Sequence, residues 1–251
     1  MAEDAVKSAR RVFEILEYFD RERRPLALKE VLDGLAYPAS SGSALMKSLV
    51  ALGYLDYDRE RRTYFPTMRI AVLGAWVHDA LFGDGVLSGL MDHLRTVSGE
   101  TVILAAQSDL HAQYVHLIHS AEPLQVSVPP GARRPLAASG LGWALLSLKD
   151  DADIEKLRRR INAEAPAEAK LSRECLAERI AEVRARGYAF SKHTVSEGVG
   201  VIGAALPRGR FGRDYAIGVA GPVERLERKE ALIVDELRDG MARLQMGRSQ
   251  G

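Results

Sequence analysis

Two short helical patterns joined by a proline-marked turn, and then an arginine-bearing hairpin pattern, constrain this chain more than any other feature. They occupy Ala27 to Thr67 of the 251 residues. Leu28, Val31, Leu32 and Leu35 recur at helical spacing and stop near Tyr37-Pro38. The next helix reads as Ser40 to Leu52, with Ser40 or Ser41 as its cap and Leu45, Leu49 and Leu52 as its core face. Gly53 suits its end. Its other face shows Ser40, Ser43, Ala44 and Lys47, and Lys47 is the one charge between Pro38 and Tyr54. Tyr54 to Tyr57 and Thr63 to Phe65 then read as strands around a charged tip, Asp58 to Arg62. Upstream, Ser8 to Arg21 reads as a helix with Val12, Phe13, Leu16 and Phe19 on one face, joined by Val6 and Ala9. Helix, turn, helix and basic ribbon is the order of a winged helix-turn-helix.

The pattern changes downstream. Met68 to Leu81 reads as a connecting helix, and Gly83-Asp84-Gly85 as a boundary. Helices are expected over Leu87–Val97, from a Ser139 cap through Leu148, over Ile154–Ile161, over Ser172–Arg186 and from Pro222 onward. Strands are expected over Val102–Ala106, Gln113–Ile118, Tyr188–Phe190, Val199–Leu206 and Tyr215–Ala220, with Pro123–Pro130 extended and Gly131–Pro135 a loop. The fold class is α+β, with a mixed C-terminal domain around a central antiparallel sheet. The expected domains are 1–67 (winged helix-turn-helix), 68–84 (linker helix) and 85–246, with 247–251 a disordered tail.

Charge and cysteine usage narrow the chemistry. Net charge is +1, and residues 1–83 balance 12 basic against 12 acidic side chains. A polyanion would therefore be met by local placement of charge, and by more than one copy of the chain. The single cysteine, Cys175, excludes an internal disulfide and a cysteine zinc cluster. No apolar run is long enough for a membrane span and Met1–Arg11 lacks the apolar core of a signal peptide, so the expectation is a cytoplasmic protein without a membrane partner. His111, His116 and His119 lack the companions that a metal site needs, and no nucleophile elbow, phosphate loop or carboxylate pair appears. No cofactor, metal or catalytic residue is expected.

Several motifs in fixed order give the chain a relationship. They are Ser8-Ala9-Arg10-Arg11-Val12, Pro38-Ala39-Ser40-Ser41, Leu49-Val50-Ala51-Leu52-Gly53-Tyr54-Leu55, Gly99-Glu100-Thr101-Val102, Arg134-Pro135-Leu136, Arg184-Ala185-Arg186-Gly187-Tyr188 and Gly221-Pro222-Val223-Glu224-Arg225-Leu226. With these, the chain resembles the IclR family of bacterial transcriptional regulators over nearly its whole length. The resemblance implies a winged helix, a linker helix used in dimerisation, and a C-terminal domain for a small effector, working as a dimer or tetramer that represses or activates a catabolic operon. Ala44 stands where the family often has a basic residue. Polar effector contacts of the family are replaced at Val201, Gly218 and Ala220, which implies a more apolar pocket than one for small keto acids.

The expected site residues follow. For double-stranded operator DNA they are Ser40, Ser41, Ser43 and Lys47 on the second helix, and Arg59, Arg61 and Arg62 on the hairpin. For the effector, a small carboxylate, aromatic ones included, they are His116, Ser139, Gly140, Leu141, Ser191, Gly198, Val201 and Gly218. Ser139 opens a helix whose free N–H groups suit a carboxylate. Gly198 and Gly200 mark a close backbone approach beside Ser191, His193, Thr194 and Ser196. A competing expectation makes the C-terminal domain a metabolic binding protein or enzyme, with the N-terminal helices as an assembly module.

Overall fold

A computed structural model describes residues 6–129, 131–208 and 213–246, so the expected tail at 247–251 lies outside the described residues. The chain divides into two compact units, the first ending at Ala80 and the second beginning at Leu81.

The first unit holds α1 (Lys7–Glu22), β1 (Leu26–Ala27), α2 (Leu28–Gly34), α3 (Ala39–Ala51), β2 (Leu55–Asp58) and β3 (Thr63–Pro66), and α4 (Met68–Phe82) leaves it. The three strands form an antiparallel sheet in the order β1-β3-β2. Ile15, Phe19, Leu26, Val31, Met46, Leu49, Leu55 and Tyr64 make its core.

Several expectations need correcting here. Phe13 is 65% exposed and Val6 is also exposed, while Ile15, not named on the expected stripe, is fully buried. At roughly 100° per residue, Phe13 falls outside the sector that Val12, Ile15, Leu16 and Phe19 share. α3 starts at Ala39 behind Pro38 without any side-chain cap, so Ser40 and Ser41 lie inside the first turn. Its inner face is Gly42, Met46 and Leu49, and Leu52 is 58% exposed. The helix end is as expected. Gly53 adopts a left-handed φ of 76°, its N–H reaches Val50 O and the Tyr54 N–H reaches Leu49 O, the paired bonds of a Schellman motif. That turn feeds the chain directly into β2.

The second unit holds α5 (Val86–Ser98), β4 (Thr101–Ser108), β5 (His111–Ile118), β6 (Arg133–Pro135), α6 (Gly140–Ser147), α7 (Asp151–Glu164), α8 (Arg173–Arg186), β7 (Ala189–Lys192), β8 (Val199–Ala205), β9 (Tyr215–Pro222) and α9 (Val223–Met246). Six strands form one antiparallel sheet, β6-β5-β4-β9-β8-β7. Gly131–Pro135 is thus not wholly a loop, because Arg133–Pro135 pairs with Gln113, Ala112 and His111 of β5. Pro222 ends β9 instead of opening the last helix.

Alternation along the strands splits the second unit into two cores. Val102, Leu104 and Ala106 face the side covered by α5 and α9. Ile103 and Ala105 face the side covered by α6 and α8, where Leu141, Trp143, Leu145, Leu176, Ile180 and Val183 pack. α6 comes unusually near the strands. A methyl group at Gly203 would lie 2.6 Å, and at Gly218 2.8 Å, from Leu141 Cδ2. At Gly142 it would lie 2.0 Å from the backbone oxygen of Leu136.

A substitution at Gly142 has no flexible side chain to displace. Gly142→Ala is expected to destabilise the second unit by about 2–3 kcal/mol, the upper part of the usual overpacking range. Urea unfolding followed by tryptophan fluorescence checks this, and a midpoint equal to that of the parent chain contradicts it.

Candidate DNA-reading face and ligand cavity

α3 presents a largely solvent-facing side. Ser40, Ala44, Lys47 and Ser48 are exposed, and Ser41 and Ser43 are half-buried. Arg11 of α1 holds the start of this helix. Its guanidinium donates to Ser41 Oγ at 3.2 Å and stacks over the Tyr37 ring, 4.7 Å from the centroid. Tyr37 in turn donates its hydroxyl to Glu14. Burial first, and the Glu14 carboxylate second, push the Tyr37 hydroxyl up to about 12, so it stays a donor at neutral pH. The hydroxyl face of α3 is therefore fixed by contacts outside the helix. Arg10 pairs with Glu14 at 3.6 Å, the salt-bridged alternative for this basic cluster.

The hairpin tip carries Arg59, Arg61 and Arg62, all exposed. Asp58 Oδ1 accepts from the N–H groups of Glu60 and Arg61 at 2.9 and 3.0 Å, which closes the turn. Arg62 has a positive φ of 54°. The Arg61 guanidinium lies 4.0 Å from Asp58, a loose surface pair of little energetic weight. A cation on this tip is thus free to exchange its weak partner for a phosphate.

The second unit contains a cavity of about 420 Å³. Ser139, Gly140, Ser191, Gly198 and Val201 line it, together with Thr194, Ser196 and Ala220. Its apolar wall is Ile103, Val126, Val128 and Val201, and Tyr114, Arg134 and the segment Leu124–Val128 complete it. That segment is tied down from the sheet and from α9. Thr101 Oγ1 donates to Val126 O at 3.1 Å, and Arg225 donates to Leu124 O at 2.7 Å. Arg225 is itself held by Glu100, whose side chain is 1% exposed, at 2.7 Å.

Three expected effector residues lie elsewhere. Leu141 and Gly218 are fully buried and pack against each other, so they support the floor of the cavity without lining it. His116 is exposed and its ring lies 4.9 Å from that of Phe82. A bulge explains the miss. Tyr114 is paired with Ala105 and His116 with Leu104, leaving Val115 as an extra residue. The extra residue moves His116 off the face that Tyr114 occupies. His119 lies beyond the end of β5. His193 is not on the wall either, and its Nδ1 accepts the Gly198 N–H at 3.0 Å. Among the described residues no group of three or more His, Cys, Asp or Glu is placed to hold a metal.

The two serines differ in what they have left to offer. Ser139 Oγ donates to Pro135 O at 2.8 Å and accepts from Gly142 N at 3.3 Å, so its proton is already committed. Ser191 Oγ makes one long contact, 3.5 Å, to Val201 O. Gly140 brings α6 against this pair, since a methyl there would lie 2.7 Å from Ser191 Oγ. Arg134, Tyr114 and Leu124–Val128 were not among the expected site residues. The only signal for them in the sequence was Arg134 within the Arg134-Pro135-Leu136 motif.

The division of labour between the serines is testable. Ser139→Ala is expected to cost about 1 kcal/mol of stability, the usual value of a lost helix cap. Ser191→Ala, which removes only one long contact, is expected to cost less than Ser139→Ala. Equal losses in chemical denaturation contradict this division.

Comparison with known proteins bears on both sites. The family described as the bacterial transcriptional regulator IclR C-terminal domain matches residues 85–244, and the IclR helix-turn-helix domain matches residues 8–59. The transcriptional repressor IclR of Escherichia coli K12 is 26% identical over 236 residues, covering 88% of this chain and 82% of the relative. An IclR transcriptional regulator of Alicyclobacillus acidocaldarius superposes with a TM-score of 0.66 at 19% identity, covering 96% of this chain and 98% of that one. An IclR homologue from Microbacterium hydrocarbonoxydans, solved in complex with 4-hydroxybenzoate, gives a TM-score of 0.69 at 16% identity over 96% and 98% of the two chains.

Proposed function

The chain belongs to the IclR family of bacterial transcriptional regulators, and we propose that it is a one-component switch in which a small carboxylate bound in the second unit changes how α3 and the hairpin engage operator DNA. As a member it is a DNA-binding regulator with a helix-turn-helix and an effector-binding domain, and not an enzyme. That removes the competing expectation of a metabolic binding protein or enzyme. The observation that carries the proposal is the pairing of features. One unit has a helix whose hydroxyl and Lys47 side is left outward beside an arginine-tipped hairpin, and the other has an apolar-walled cavity.

In this reading Ser40, Ser43 and Lys47 meet base edges and phosphates in the major groove, and Arg59, Arg61 and Arg62 grip the backbone alongside. Ser41 is held by Arg11 and contributes to positioning. The cavity takes a small carboxylate with an apolar body, aromatic rings included, through Gly140, Ser191, Gly198 and Val201, with Ser139 fixing the start of α6. The relative solved with 4-hydroxybenzoate supports an aromatic acid as a first candidate. The regulated genes would then form a catabolic operon for such an acid.

We propose a homodimer or tetramer. α4 carries Met68, Val72 and Trp76 four residues apart along one side, and Trp76 is 71% exposed. A side of this kind is covered when two copies pair. Two recognition helices would also supply the phosphate contacts that one weakly basic unit lacks. Among the described residues no single helix is long and apolar enough to cross a membrane.

An effector acts by binding one arrangement of the protein better than another. Coupling of this kind is typically about 1–3 kcal/mol. The test uses fluorescence anisotropy on intergenic DNA flanking the gene. Lys47→Ala, and Arg61→Ala with Arg62→Ala, are expected to weaken binding and to lower the salt slope by about 1 per lost phosphate contact. Val201→Phe, which fills the cavity, is expected to retain DNA binding and lose the ligand response. Unchanged affinity in the first two variants removes them from the interface, and a full response in the third removes the cavity.

A further inference from the structure

We propose that Arg134 is the residue that selects an anionic effector, holding the carboxylate at the β5–β6 end of the cavity, while the Gly140–Ser191 end takes an uncharged acceptor oxygen. This deepens the effector reading above and rests on it.

Among the described residues Arg134 is the one cationic side chain on the cavity wall. It is half-buried, it hydrogen-bonds the Tyr114 side chain and donates to the backbone oxygen of Arg133 at 3.3 Å, and no described carboxylate forms an ion pair with it. Its guanidinium lies over the Tyr114 ring, 5.8 Å from the centroid, and Tyr114 is on the same wall. Burial raises the Tyr114 hydroxyl, against a smaller opposing effect of Arg134, so this phenol remains protonated beside the cation. A planar cation with a protonated hydroxyl as neighbour is a carboxylate site of ordinary chemistry.

The other end carries the opposite charge. Among the described residues Glu197, which is exposed, is the one acid on the wall, it lies in the loop between β7 and β8, and no described cation pairs with it. In the strand order β6-β5-β4-β9-β8-β7, Arg134 and this loop belong to opposite edges. The donors contributed to the wall from Gly140 and Ser191 are neutral, the Gly140 amide and Ser191 Oγ, while the Gly142 amide is already taken by Ser139 Oγ. Between the ends the wall is Ile103, Ala220 and Val201. The ligand class is therefore an elongated monocarboxylate with an apolar or aromatic middle and a neutral oxygen at its far end.

The test uses the full chain with benzoate, cinnamate, 4-acetylbenzoate and 4-oxopentanoate, each paired with its primary amide, in thermal shift and calorimetry. Wild-type protein is expected to bind at least one acid, most tightly one with the distal carbonyl, and to bind its amide about tenfold or more weakly. Arg134→Ala is expected to remove that acid-over-amide preference, and Arg134→Lys to keep part of it. The melting temperature without ligand and DNA affinity serve as fold controls for both variants. An acid that binds wild type and Arg134→Ala equally overturns the role of Arg134 and leaves the effector reading standing. Wild-type protein that binds none of the acids overturns the carboxylate reading itself, and with it this proposal.

Discussion

The close approach of α6 to a glycine-lined stretch of sheet is the contact on which the second unit depends. A helix resting on a sheet is normally held off by side chains of both partners. Here Gly203 and Gly218 leave an opening that Leu141 fills, and Gly142 sits against the backbone at Leu136. This sets the depth of the helix, and the depth sets the cavity. Because the start of α6 is pulled down onto Ser191 and Val201, the space above it is bounded by β4, β5 and the Leu124–Val128 segment. The floor is rigid packed core, while the opposite wall is irregular chain held by a few hydrogen bonds from Thr101 and Arg225. A ligand in such a space meets one wall that cannot yield and one that is tied at separate points.

The first unit follows the same logic on a smaller scale. Met46 and Leu49 bind α3 into the core, and the Arg11–Tyr37–Glu14 contacts fix its first turn from outside. The side bearing Ser40 and Lys47 is then free of internal duties. The Schellman turn at Gly53 carries the chain from that helix into the hairpin with no intervening loop. α3 and the arginine tip are therefore positioned by one short stretch of covalent structure. Under the proposed reading an overall charge of +1 is compatible with DNA binding, because cations stand at that tip and on Lys47.

Much of this was legible in the residues, and the exceptions have physical causes. The order of the main helices and strands, the Ser139 cap and the left-handed Gly53 all follow from local rules. The errors came where local rules run out. A bulge at Val115 shifts His116 to the other face, and single-residue insertions in a strand leave no mark in hydropathy. Gly218 was read as a missing polar contact, whereas it is space for Leu141, a partner 77 positions away in sequence. Arg134 belongs to a three-residue edge strand too short to show alternation. Pro38 took the capping position from Ser40 and Ser41, because either residue type can precede a helix.

The central claim is a free-energy coupling between a cavity in one unit and DNA bound by the other. Linkage makes that coupling reciprocal, so it can be read from the ligand side alone. The direct measurement is the calorimetric affinity of the full chain for a ligand that raises its melting temperature, taken once free and once saturated with operator duplex. The account predicts two dissociation constants that differ by about fivefold or more, by the same factor that the ligand imposes on the DNA affinity. Identical constants in the two titrations would contradict it.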